Sequence, residues 1–285
     1  MQLDVVRTIA DLRRQIALWR RREERIGLVP TMGALHRGHL ALVEAARAEC
    51  DRVVASIFVN PKQFAPNEDL GSYPRREAAD LDMLHSVGVD FVFMPPVGEI
   101  YPPDFATTIR VTGLTEVLCG AHRAGHFDGV ATVVTKLLIQ SLSDVAYFGE
   151  KDYQQLIVVR RLARDLDLPV RIAAVPTVRE ADGLALSSRN IYLSPQERRI
   201  APELARALRS AAAALAQDPT AVATELTRAS EALESAGFAV EYIEVREADS
   251  LAPVKGEVAA PARVLAAVRL GRTRLIDNMP IPPTS

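Results

Sequence analysis

The chain has 285 residues, 48% hydrophobic and 25% charged, which is ample apolar material for a core. A formal net charge of −2 argues against a nucleic-acid partner, which would call for a basic surplus to displace counterions from phosphates. Two cysteines, Cys50 and Cys119, are too few for a disulfide framework or a thiolate metal cage. No run approaches the ~20 apolar residues of a membrane span, and Met1-Gln2-Leu3-Asp4 opens without an apolar leader, so a cytoplasmic protein with no membrane partner is expected.

In chain order, Ile9, Leu12, Ile16 and Trp19 recur at helical spacing and predict an opening amphipathic helix. A short buried strand follows over Ile26 to Pro30. The chain breaks at Thr31-Met32-Gly33 and resumes as a helix from about Gly38, with Leu40, Leu42, Val43 and Ala46 for burial. Arg52 to Val59 is a β-branched strand, Glu77 to Val87 a helix, and Phe91 to Phe93 a third strand. Past an irregular stretch, Val130 to Ser141 reads as helix, Val145 to Phe148 as strand, Tyr153 to Asp165 as helix and Val170 to Val175 as strand.

Alternating strands and helices predict a Rossmann-like α/β fold, mainly a parallel sheet with helices on both faces. Such sheets bind ligands beyond the carboxyl ends of their strands. After Pro176 the pattern changes. A polar segment, Arg179 to Asn190, leads to Ser194-Pro195-Gln196-Glu197, a helix start with Ser at N-cap, Pro at N1 and Glu at N3. An Ala-rich helix to about Gln217, a second to about Gly237, and strands over Val240 to Val245, Val264 to Leu270 and Thr273 to Ile276 complete the chain. The expected division is residues 1–176, binding nucleotide and substrate, and 177–285, a smaller α+β lid.

Three segments carry the chemistry. Pro30 to Leu40 runs from a strand end to a helix start, where unpaired N–H groups and the helix dipole favour phosphate. His36 and His39 face that position, and Gly38 permits close approach. Phe148 to Gln155 is a second strand-to-helix turn, with Lys151 for phosphate charge and Gln155 one helical turn beyond. Leu186-Ser187-Ser188-Arg189-Asn190 offers two hydroxyls and a guanidinium on a polar loop suited to clamping triphosphate. No Gly-x-x-x-x-Gly-Lys-[Ser/Thr] or Gly-x-Gly-x-x-Gly loop occurs, which sets aside P-loop kinases and dinucleotide dehydrogenases. Asp80 and Asp82 read as a solvated helix face, with Asp80 a candidate magnesium ligand. His122 and His126 lack a third ligand for a metal.

Together these segments resemble the pantothenate synthetase family of the HxGH nucleotidyltransferase superfamily, over nearly the whole chain. The resemblance rests on Val29 to His39, Ser56 to Phe64, Asn67 to Leu70 with Tyr73-Pro74-Arg75, Gly125 to Val130, Phe148 to Leu156 and Ser187 to Asn190. It implies an AMP-forming ligase that joins pantoate to β-alanine with ATP and Mg²⁺, as a homodimer.

It further implies that Met32, Gly33, Ala34, Leu35, His36, Arg37, Gly38 and His39 line the ATP site, His39 being the proton donor. Gly149, Glu150, Lys151, Asp152, Val178, Leu186, Ser187, Ser188 and Arg189 would hold the rest of the nucleotide. Gln63 and Gln155 would bind pantoate, Gln63 also lying at the β-alanine site with Asn60 beside it. Arg123 and His126 would stand near the pantoate entrance. Leu186 replaces the family's usual Met, and Ala124 a common Pro. The alternatives are another HxGH nucleotidyltransferase acting on a phosphate acceptor, and a non-catalytic nucleotide sensor.

Overall fold

A computed structural model describes residues 3–66 and 68–282 of the chain. Asn67, part of the motif beginning there, lies outside the described residues. The elements are β1 (Asp4–Val6), α1 (Ile9–Arg20), β2 (Ile26–Thr31), α2 (Arg37–Glu49), β3 (Arg52–Ile57), α3 (Glu77–Ser86), β4 (Phe91–Phe93), α4 (Val97–Ile100), α5 (Cys119–His122), α6 (His126–Ser141), β5 (Val145–Gly149), α7 (Tyr153–Asp165), β6 (Arg171–Val175), α8 (Pro195–Ile200), α9 (Pro202–Gln217), α10 (Val222–Ser235), β7 (Ala239–Glu247), β8 (Ala262–Leu270) and β9 (Thr273–Pro280). Single 3₁₀ turns occur at Pro61–Gln63, Glu150–Asp152 and Ser188–Tyr192. The chain separates into two compact units, 1–150 with 158–176, and 151–157 with 177–285.

The first unit is built on a parallel six-stranded sheet in the order β1-β4-β3-β2-β5-β6. Strand β2 is buried along almost its whole length, as strands covered on both faces must be. Val29, Val53, Ala55, Val92 and Tyr147 share one apolar cluster with Leu42, Val43 and Ala46 of α2 and Leu84 of α3. Alternate strand residues point to the opposite face, where Trp19 of α1 lies on Phe91 with ring centroids 5.0 Å apart. From β2 the chain adds β3 and β4 to one side and then returns to add β5 and β6 on the other, so the sheet reverses its order between β2 and β5. That is where open α/β sheets place their ligand crevice.

The second unit packs α9 and α10 against the antiparallel sheet β7-β8-β9. Leu204, Leu208, Ala211 and Leu215 of α9 share a cluster with Val222, Ala229 and Leu233 of α10 and Val264, Ala266 and Val268 of β8.

Several boundaries differ from expectation for local reasons. Strand β1 is only three residues, paired at the sheet edge with β4. Helix α6 starts one turn earlier than the apolar pattern indicates, because Gly125 at φ +75° caps it. The expected Ala-rich helix is two helices. Pro202 lacks an N–H and opens α9, while α8 ends before it. Ser194 caps α8 in a capping box with Glu197, as read from the sequence. Both cysteines are buried and neither is in a disulfide. Among the described residues, no helix is long and apolar enough to cross a membrane.

Candidate active site

In the first unit, β2 ends in a tight turn at the carboxyl edge of the sheet. Thr31 Oγ1 donates to the Ser56 carbonyl at 2.8 Å and accepts the Gly33 N–H at 3.2 Å. Gly33 has φ +80° and Ala34 φ +50°, so two successive residues occupy the left-handed region. A side chain at Gly33 would also bring its Cβ within 2.9 Å of Asp80 Oδ2. This turn is held from outside. Asp80 Oδ2 accepts the Ala34 N–H at 2.9 Å and Oδ1 accepts the Leu35 N–H at 2.8 Å.

The structure therefore corrects the solvated-face reading of Asp80, whose residue is 3% exposed. Both its oxygens clamp the turn, whereas Asp82 is exposed. The sequence suggested a surface position because Asp80 lies in the polar first turn of α3; its backbone partners are 45 and 46 residues away. No group of three or more His, Cys, Asp or Glu suited to a metal ion occurs among the described residues.

Beyond the turn, the two histidines form a reciprocal cap on α2. His36 Nδ1 accepts the Gly38 N–H at 3.1 Å, and His39 Nδ1 accepts the His36 N–H at 3.3 Å. An imidazole nitrogen that accepts carries no proton, so these partners assign the ring N–H of both to Nε2. The rings lie 4.1 Å apart between centroids. Two neutral rings thus present Nε2–H donors. Arg37 is exposed and paired with Glu44 at 2.6 Å, which leaves its backbone as its contribution here.

The loop after β3 is fixed by buried amides. Asn60 donates from Nδ2 to Gln63 Oε1 at 2.9 Å and to the Gly129 carbonyl at 3.1 Å. Its Oδ1 accepts Tyr101 OH at 2.8 Å. Burial pushes the Tyr101 phenol up, which keeps it a donor. Asn60 therefore orients Gln63, whose Nε2 reaches the Met32 sulfur at 3.1 Å, a weak acceptor. Helix α6 presses closely on this loop. A Cβ at Gly129 would lie 2.2 Å from the Lys62 carbonyl oxygen.

Arg123 and His126 act on the same loop. His126 Nδ1–H donates to the Gln63 carbonyl at 2.8 Å, and its Nε2 accepts from Arg123 Nη1 at 2.9 Å. Arg123 makes two 2.6 Å bonds to Glu68. Burial works against the Glu68 carboxylate, but Arg123 and the Ala65 N–H outweigh it and hold the acid below its usual range. Glu68 and Gly129 fell within motifs quoted from the sequence but were given no role there, since only tertiary contacts reveal their partners. Gly149 closes β5 and Glu150 begins the following 3₁₀ turn, both half-buried.

In the second unit, Lys151 is mostly buried, with its Nζ 3.7 Å from Asp152 Oδ2, a loose ion pair. Gln155 is half-buried in the first turn of α7. Residues 178–186 form a small hairpin, in which the Leu186 N–H donates to the Val178 carbonyl at 3.0 Å. Ser187 Oγ then accepts the Arg189 N–H at 3.3 Å, capping the turn that carries Ser188 and Arg189.

A family model for pantoate–β-alanine ligase matches residues 4–280. The chain belongs to the pantoate–β-alanine ligase family. Membership makes it a ligase enzyme. It is 57% identical to a pantothenate synthetase of Paramagnetospirillum magneticum over 279 residues, covering 98% of each protein. A second pantothenate synthetase, from Chelativorans sp., is 56% identical over 282 residues and 99% of each. The crystal structure of pantothenate synthetase from Thermus thermophilus superposes with a TM-score of 0.93 at 49% identity, covering 99% of this chain and 100% of that one. The pantoate–β-alanine ligase of Francisella tularensis, complexed with "Beta-gamma ATP" and β-alanine, gives 0.81 at 34% identity over 99% and 100%. The fold of this ligase family member is thus the fold of those enzymes.

Proposed function

We propose that this ligase condenses (R)-pantoate with β-alanine through a bound pantoyl adenylate. In the first step a pantoate carboxylate oxygen bonds to the α-phosphorus of ATP, and the bond to the β-phosphate oxygen breaks to release pyrophosphate. In the second, the β-alanine nitrogen bonds to the acyl carbon, the acyl C–O bond to AMP breaks, and the amine gives up a proton. No protein nucleophile is required, so the protein's task is positioning and charge stabilisation.

The observation that carries this reading is the His36–His39 cap at the carboxyl edge of a parallel sheet, in a chain of this family. Two Nε2–H groups and the α2 N-terminus suit an oxyanion, each donor supplying roughly 3 kcal/mol by analogy with oxyanion holes. His39 gives its hydrogen bond to the departing pyrophosphate, and Lys151 adds a cation. Met32 to His39, Gly149 to Asp152, Val178 and Leu186 to Arg189 bind the nucleotide. Gln63 and Gln155 bind pantoate by accepting and donating at once. Asn60, Arg123 and His126 serve that role through Gln63.

Mg²⁺ enters with ATP, held by triphosphate oxygens and water. We assign Asp80 to the turn and not to the metal. The family resemblance supports a homodimer and the composition a cytoplasmic protein, while the change of sequence pattern after Pro176 supports domains at 1–176 and 177–285, apart from the 151–157 segment that packs with the second unit. Product analysis tests the reaction: ATP with both acids should yield AMP and pyrophosphate in equal amounts with the amide, whereas ADP would overturn it.

A further inference from the structure

Strand β9 carries two adjacent buried polar residues, Asp277 and Asn278, 3% and 2% exposed. Buried charges and amides cost free energy unless fully paired, and apolar residues of similar volume are often as stable. Their partners are therefore informative. Adjacent strand residues point to opposite faces, and each of these reaches a different segment of the second unit.

Asp277 accepts both terminal nitrogens of Arg179, at 2.6 and 2.9 Å. Arg179 also donates to the Gly183 carbonyl at 3.1 Å, which closes the hairpin between Val178 and Leu186. On the other face, Asn278 Nδ2 donates to the Lys151 carbonyl at 3.1 Å. Its Oδ1 accepts Arg263 Nε at 2.8 Å, and the Arg263 guanidinium lies 4.1 Å from the centroid of Tyr153, two residues beyond Lys151. One dipeptide thus ties both nucleotide segments of this unit to the same strand.

We propose that Asn278, oriented by Arg263, is a positioning residue that sets Lys151 for ATP, and that Asp277 does the same for the Val178–Arg189 segment through Arg179. This rests on the reading of Lys151 as a phosphate ligand. The pairing explains why amide and carboxylate stand buried in a strand that also buries Leu275 and leads directly to the buried Ile281. Neither residue contacts a reacting atom in this account.

Asn278→Asp sets an oxygen against the Lys151 carbonyl while giving Arg263 an ion pair, so the fold should hold. Measured by calorimetric titration and by steady-state kinetics, ATP affinity should fall about ten-fold, the effect of one lost hydrogen bond with an unsatisfied partner. KM for β-alanine should stay within about two-fold, which a general distortion of the site would not allow, and a folding defect that merely lowered the active fraction would leave ATP affinity unchanged. In a Lys151→Ala background the same substitution should add little, because its effect runs through Lys151. Asp277→Asn should weaken ATP selectively as well.

Wild-type ATP affinity in Asn278→Asp, equal losses for all three substrates, or full additivity with Lys151→Ala would overturn the proposal. A wild-type enzyme without ligase activity would instead overturn the reading beneath it. Should Asn278→Asp not fold, Arg263→Lys removes the orienting bond together with the guanidinium contact to Tyr153, which also bears on the Lys151 segment, and is read in the same way. Loss of folding in both would assign these residues to stability alone and overturn the proposal too.

Discussion

Asp80→Asn keeps the shape of the side chain but leaves one acceptor where two backbone N–H groups point. Ala34 N and Leu35 N are held at 2.9 and 2.8 Å by separate carboxylate oxygens. One charge-assisted bond goes, at roughly 1.5–3 kcal/mol, and one buried N–H is left facing an NH₂ group, at roughly 1–3 kcal/mol. Removing a buried charge offsets part of this, so a net loss of about 2 kcal/mol is expected. For a unit of this size that lowers the melting temperature by about 4–8 °C.

The turn should also relax, since Ala34 holds φ +50° against the ordinary preference of a residue with a Cβ. His36 and His39 follow directly, and a shift near 1 Å in such donors lowers the adenylation rate by about 10²-fold. Thermal unfolding and pyrophosphate exchange, each repeated across a magnesium titration, measure both effects. Unchanged melting and exchange would refute the clamp. Recovery of exchange at high Mg²⁺ would return Asp80 to the metal.

Gly129→Ala forces α6 or the 61–63 turn to shift, given the 2.2 Å approach to the Lys62 oxygen. KM for pantoate should rise at least about ten-fold with ATP affinity unchanged, as one hydrogen bond's displacement implies; separate titrations check it, and an unaltered KM would remove Gln63 from the pantoate site. Glu68→Gln tests linkage. Glu68 has a lowered pKa in the folded state, so its contribution is full above the ordinary glutamate range near about 4 and is lost as pH falls through the folded value. The variant should lose about 1–3 kcal/mol at neutral pH and show a shallower acid limb in stability measured against pH; an identical acid limb would contradict the network. His36→Asn preserves an N-cap acceptor, so stability should stay within about 0.5 kcal/mol. Exchange should nonetheless fall at least about 10²-fold, and a near-normal rate would leave His36 a capping residue only.

The sheet was legible because strands buried on both faces appear as apolar runs, as in Ile26, Leu28 and Val29. Strand β1 was not, since one exposed and two half-buried residues carry no periodicity and owe their form to β4. Pro202 was a readable signal: the rule that placed Pro195 at a helix start applies equally at the next helix. In the site, His36 and His39 stood out because their strand–glycine–helix context is local in sequence. The roles of Asp80, Glu68, Gly129 and Asn278 did not, because the contacts that define them, to Ala34 and Leu35, Arg123, Asn60 and Lys151 respectively, are each at least 45 residues away. The surprise at Asn60 has the same origin. Its amide is a suitable ligand group in isolation, yet Tyr101, Gln63 and Gly129 engage it within the fold.

The central claim is that the acid is activated as an adenylate before the amine is needed. With ATP, Mg²⁺ and pantoate but no β-alanine, the enzyme should exchange labelled pyrophosphate into ATP, because the first step is reversible while pyrophosphate can rebind. Exchange should require pantoate's hydroxyls, whose absence in an analogue leaves the Gln63 and Gln155 amides short of partners. ADP release without exchange would contradict the account and indicate a pantoyl phosphate. Exchange with phosphate-bearing acceptors but none with pantoate would contradict it as well, and make the chain a nucleotidyltransferase.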